Sequence, residues 1–171
     1  MKKILKILFF IASLFLLFYV LPQSPEFPKP LPASVQSFEP ADVETPLRRG
    51  YYTNLTRQEI IEHYQKEFNE GFIYTPRLNY PPEEAPALIR DQTKSTFLEE
   101  LVHPLRESLF INGFESKKTI YQLVIDGVTW DQKVIVRYVP SAIWLRVLIV
   151  FLTIVSTIVL MREYQIWQKK D

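Results

Sequence analysis

Two long apolar runs, one towards each end, limit what this chain can fold into. No charged residue occurs from Ile7 to Leu21, and Lys6 is the only one between Ile4 and Leu21. A membrane-spanning helix needs about 20 mainly apolar residues, with a lower bound near 17. Residues 1–21 are therefore read as a transmembrane signal-anchor, with Lys6 reaching the lipid–water interface. A cleaved secretion signal is the alternative, but cleavage favours small residues at the exit, and "FYVLPQS" offers bulky ones with a proline among them.

The second run is "AIWLRVLIVFLTIVSTIVLM", residues 142–161. Thirteen of its residues are Leu, Ile, Val or Phe, together worth on the order of −4 to −8 kcal/mol of insertion free energy. That outweighs the cost of one central arginine, about 2.5–3.5 kcal/mol, and Arg146 lies near one end, within reach of the headgroups. A spanning helix is expected. Lys2, Lys3 and Lys6 precede the first run, while Arg162, Lys169 and Lys170 follow the second. Basic flanks stay in the cytoplasm, so both termini are expected inside and residues 22–140 outside a plasma membrane. Residues 162–171 form the short cytoplasmic tail. Trp144 and Trp167 bracket the second run as interfacial aromatics do.

Immediately after the first run comes "LPQSPEFPKPLPASVQSFEP". Proline supplies no donor for a helix or a sheet ladder, so residues 22–50 are expected to form a semi-rigid, solvated stalk of polyproline type. A folded domain is expected over 51–140. Within it, "LTRQEI" is a helix-start signal: Thr56 caps, Glu59 reciprocates, and Leu55 and Ile60 form the apolar staple. Ile60, Ile61, Tyr64 and Phe68 then line one face, with Gly71 as the stop. "FIYT" at 72–75 reads as a short strand, and "YPPEEAPALIRDQ" at 80–92 as a second helix. Asp126-Gly127 between alternating runs is a hairpin cue, pairing Ile125 with Val128 and Leu123 with Trp130 on an apolar face that continues through Val134, Val136 and Tyr138. The expected fold is α+β: a small, mainly antiparallel sheet covered by two or three helices and flanked by the two transmembrane helices. Pro140-Ser141 leaves almost no slack before the second span. The first span, on its longer connection, is free to lie elsewhere, even beside another copy.

Residues 97–114 are ambiguous between helix and strand. On a helix, Glu99, His103 and Arg106 share a face, a carboxylate–imidazole–guanidinium set suited to acid–base work; the bland alternative is a solvated face whose charges pair locally. His63 and His103 are the only histidines and there is no cysteine, so no metal site is expected. Four scattered glycines make no phosphate loop, and no cofactor is expected. Residues 22–140 hold 13 Lys and Arg against 17 Asp and Glu, a poor footprint for nucleic acid. Thr153, Ser156 and Thr157 fall on one face of the second span, where they can pack against another helix or bond back to their own carbonyls.

These readings lead to a non-enzymatic envelope protein that displays a small interaction or scaffolding module, with lipid and a protein partner or a second copy as its contacts. The alternatives are a membrane-bound enzyme using Glu99, His103 and Arg106, and an accessory subunit of a transport or secretion complex.

Overall fold

A computed structural model describes residues 2–68, 77–80, 95–115 and 123–168. The chain divides into two compact units: a helical unit, Met1–Ser24 with Ser141–Asp171, and a domain, Pro25–Pro140.

In the helical unit, α1 spans Lys2–Val20 and α3 spans Ile143–Trp167. Both are long and apolar enough to cross a membrane, and almost all of their surface is exposed. They pack on each other along one narrow seam. On α3 the less exposed positions are Ile143, Arg146, Val147, Val150, Ile154, Thr157 and Met161; on α1 they are Phe9, Ser13, Leu16, Leu17, Tyr19 and Val20. Apart from Arg146, the α3 positions alternate four and three, the spacing that keeps one stripe facing a partner helix. The first helix thus lies beside the second helix of its own chain. Arg146 and Ser24 fix the junction: Arg146 Nη2 donates to the Pro22 carbonyl at 2.9 Å, and Ser24 Oγ to the Ser141 carbonyl at 3.2 Å. A cation just past the end of α1 meets the negative end of that helix's dipole.

The domain is α+β. Six strands pair antiparallel throughout, in the order β1-β2-β8-β5-β4-β3. They are β1 (Ser34–Ser37), β2 (Arg48–Thr53), β3 (Arg77–Tyr80), β4 (Ser95–Val102), β5 (Ser108–Glu115) and β8 (Gln132–Val139). A separate hairpin joins β6 (Leu123–Ile125) to β7 (Val128–Trp130). The single helix among the described residues of the domain, α2 (Arg57–Phe68), packs on β4 and β5. At 12 residues α2 is too short to hold itself together in water. Its start is the expected capping box, with Thr56 N–H donating to Glu59 at 2.8 Å and Glu59 N–H to Thr56 Oγ1 at 3.4 Å. Ile60, Ile61, Tyr64 and Phe68 are all buried in the core, with Leu55 packed beside them. Each such side chain contributes roughly 1.5–3 kcal/mol as an upper estimate. The expected strand at 72–75, the stop at Gly71 and the second helix at 80–92 lie outside the described residues, apart from Tyr80, which ends β3.

Three expectations need correction. The stretch 97–114, open between helix and strand in the sequence, is a pair of strands, β4 and β5, so the face that a helix would give Glu99, His103 and Arg106 does not form. The hairpin turns at Asp126-Gly127 in the expected register, with Asp126 at φ 51° and Gly127 at φ 78°, but its apolar face does not continue into the core. A bend at Asp131 separates it from β8, and Val128 on that face is exposed. Val134, Val136 and Tyr138 of β8 are buried as expected.

Finally, the proline-rich segment is no free stalk. Leu31 is part of the core and Phe27 packs against it; the Phe27 ring meets Tyr138 edge-on and lies 4.3 Å beneath the Arg49 guanidinium. A proline-rich backbone offers carbonyls and few donors, and the domain supplies the donors. Tyr138 Oη donates to the Pro25 carbonyl at 2.8 Å, and Ser34 Oγ to the Leu31 carbonyl at 2.7 Å. The folded domain therefore starts at Pro25 and not at Tyr51, and residues 34–37 and 48–53 are sheet.

Candidate functional site

The three residues singled out for acid–base work are all drawn inwards. Glu99 lies on β4 between Phe97 and Leu101, on the face covered by α2, and is fully buried. An isolated carboxylate there would be prohibitive. Arg57, the first residue of α2, reaches across the sheet and pairs with it. His103, just past β4, is 3% exposed and stacks on Phe68 with centroids 4.4 Å apart. Its Nδ1 lies 2.8 Å from Glu107 Oε1, and Arg106 Nη2 lies 3.1 Å from the same oxygen. An ionised carboxylate only accepts, so the shared proton belongs on the imidazole. His103 and Arg106 are thus brought together, through Glu107, which sequence reasoning missed. Glu99 is directed instead to Arg57. Glu99 and His103 are four residue steps apart along an extended backbone, roughly 13 Å. The arrangement neutralises charge between helix and sheet, and its two arms are tied separately.

A second polar cluster, also missed, sits on the opposite face. Lys133 Nζ lies 2.6 Å from Asp42 and 2.9 Å from Glu39, Ser37 Oγ bonds Asp42, and Tyr52 Oη bonds Glu39. Asp42 is 1% exposed and packs so closely on Gly50 that a Cβ there would stand 2.8 Å from its carboxylate. That close approach is the signal in the sequence, but nothing local in "LRRGYY" announces it. The cluster clasps loop 38–47 to the sheet. Lys133 and Tyr52 hold the Glu39 carboxyl below its usual 4.5. Burial alone favours neutral Lys133, but Asp42 and Glu39 outweigh it and raise the amine above 10.5. Glu39 thus contributes stability that is complete above pH 4.5 and lost as pH falls through its lowered value. Lys133 contributes stability that is complete below pH 10.5 and lost as pH rises through its raised one. Amide exchange at residues 38–47 is accordingly expected to accelerate at both extremes, ahead of exchange in α2. Uniform exchange across the two would refute the clasp.

The third feature is a groove of about 410 Å³ lined by Ala33, Ser34, Asn54, Leu55 and Trp130. It lies beside the β6–β7 hairpin, which Asn54 ties down by accepting the Asp131 N–H at 2.9 Å. The Trp130 indole N–H is buried and has no hydrogen-bond partner among the described residues. A donor left unsatisfied in this way costs on the order of 1–3 kcal/mol until something accepts from it.

In the helical unit, Lys6, Trp144 and Trp167 are exposed. Arg146 is 2% exposed and bonded to the Pro22 carbonyl. Thr153 and Thr157 each donate back to a carbonyl of their own helix at 2.8 Å; Thr153 and Ser156 are exposed, while Thr157 sits at the α1 seam. Among the described residues no three His, Asp or Glu side chains are grouped to hold a metal. Comparison with family models, with curated proteins and with solved structures finds no match for this chain.

Proposed function

We propose that this chain is a non-enzymatic, two-span plasma-membrane protein, with both termini cytoplasmic and residues 22–140 outside, whose domain is a protein-docking module. The observation that carries this reading is the hairpin. It stands apart from the six-stranded sheet, shows Val124 and Val128 half exposed, and borders a groove whose Trp130 donor is unsatisfied. An apolar side chain from a partner fits Val128, which shares a hairpin face with Ile125 and Trp130, and a backbone carbonyl beside it fits the indole N–H. Glu99, His103 and Arg106 support the same side of the question, since their carboxylate and cation partners are already supplied from within the fold.

The test is a photo-crosslinking residue at position 128 in intact cells. A discrete adduct is expected there and none from position 137, with Ile125→Asp, the cross-strand neighbour of position 128, removing the adduct while the domain's melting is unchanged. A mass of two chains identifies a homo-oligomer; any other mass gives a different protein. Adducts that are equal at 128 and 137, or indifferent to Ile125→Asp, would sink the proposal.

A further inference from the structure

We infer that one end of the sheet is itself a lipid-binding surface, entering the interfacial layer of a phospholipid bilayer through Phe38, Val43, Leu47, Leu105 and Val139. The inference rests on the reading that α1 and α3 span a membrane, and goes beyond it by giving the domain its own contact with lipid.

Strand register brings these five residues together. Ser37 pairs with Gly50 and Arg48 with Arg137, so Phe38 and loop 38–47 emerge at the end of the sheet where β8 finishes. The Leu47 carbonyl accepts the Tyr138 N–H at 2.8 Å. Ser108 pairs with both Val102 and Val139, so the turn at 103–107 lies at this end too. Eight large hydrophobic side chains are exposed among the described residues of the domain, and these are five of them. Phe38 is 77% exposed and Leu105 59%, values that are costly in water for side chains of this size.

Leu105 adds a second cost. Its φ is 61°, left-handed backbone in which a leucine is strained and glycine or asparagine is at ease. The turn nevertheless presents an apolar side chain outwards. Two arginines complete the surface. Arg48 and Arg137 sit directly opposite each other on neighbouring strands, a like-charge pairing that is unfavourable by itself. Arg48 is bridged to Glu44 at 3.5 Å, and Arg137 is exposed. A phosphate group between them relieves the repulsion, and every phospholipid carries one.

Lipid is the occupant because of chain connectivity. The domain's two covalent exits, Pro25 and Pro140, belong to this same end: the Pro25 carbonyl is held by Tyr138, and Pro140 follows Val139 directly. Three residues separate Val139 from the start of α3, a reach of roughly 10–14 Å at full extension. Apolar side chains beside a phenylalanine and two arginines match an interfacial layer, where aromatics and basic groups settle at headgroup depth. Val124 and Val128 lie beyond Gln132, at the opposite end of β8, roughly 23 Å away along the strand.

The chain has no cysteine, which permits single-site labelling of the intact protein. Phe38→Cys, Leu105→Cys, Val124→Cys and Ile158→Cys variants would each carry a nitroxide, in full-length chain reconstituted into phosphatidylcholine vesicles. Collision rates with oxygen and with a water-soluble nickel chelate are then compared. Labels at 38 and 105 are expected to favour oxygen several-fold over the label at 124, approaching the label at 158 within α3. Labels at 38 and 105 as open to nickel as 124, with 158 still lipid-like, overturn this inference and leave the spanning helices standing. A label at 158 open to nickel overturns the spanning reading and this inference with it.

Discussion

Gly113→Ala is expected to lower the melting temperature of the domain by roughly 12–20 °C, corresponding to on the order of 3 kcal/mol of overpacking. Gly113 on β5 pairs with Phe97 on β4, and the Phe97 ring lies flat over the missing side chain. A Cβ added at Gly113 would stand 2.1 Å from one ring carbon and 2.6 Å from the next. The ring cannot swing aside, because it is 1% exposed and walled by the core. The measurement is near-ultraviolet circular dichroism of full-length protein in detergent. The diagnostic control is a double-mutant cycle with Phe97→Ala. If the ring is the obstacle, the pair of substitutions costs clearly less than the sum of the two alone. Additive costs would mean that Gly113 is needed for some other reason.

Glu107→Leu is expected to cost about 3–5 kcal/mol, because it strips a buried carboxylate from two donors that remain. Glu107 is fully buried, and its Oε1 meets both His103 and Arg106, themselves 3% and 10% exposed at the side chain. Replacing all three together, as His103→Leu, Arg106→Met and Glu107→Leu, is expected to recover most of the loss, since a well-packed apolar cluster stands in for a buried ion network at little net cost. Thermal melting of the two variants decides it. A triple variant as unstable as Glu107→Leu would show that these charges are needed for more than their mutual neutralisation. It would also reopen the enzymatic reading.

Helix α2 was legible from its cap to Phe68 because every signal for that stretch is local. Cap, reciprocal partner, staple and apolar face occupy 14 consecutive positions, and the tertiary structure uses each as the pattern implies. The two terminal helices were legible for the same reason, through the length and hydropathy of each run.

Strand β4 was not, because Glu99 stands where an inward-facing apolar residue belongs. Phe97, Leu101, Leu109, Ile111 and Gly113 keep strand alternation, and a charge among them breaks it. What makes Glu99 tolerable is Arg57, 42 residues earlier, and no window of sequence contains both. The proline-rich segment misled in another way. Composition counts prolines, whereas the fold is decided by Phe27 and Leu31 between them. The hairpin face was extended too far because alternation survives on paper across Asp131, where the backbone bends. The candidate site was half visible: His103 and Arg106 do meet, but through Glu107 and in a turn, and the partner of Glu99 comes from α2. Arg146 was read only from its distance to the end of its helix, and its partner, the Pro22 carbonyl just past α1, is too distant in sequence to be seen that way.

Strand β8 has a consequence for how the domain comes into being. It is the last strand made, and it lies between β2 and β5, so it alone joins β1-β2 to β5-β4-β3. A nascent chain that has not yet released residues 132–139 from the ribosome therefore holds two half-sheets with raw edges facing each other. Such edges invite pairing with other chains, and contacts this distant in sequence close slowly. The apolar helix α3 follows within a few residues, so the sheet can seal only once β8 itself has emerged. Until then the edges of β2 and β5 stay open to proteolysis and aggregation.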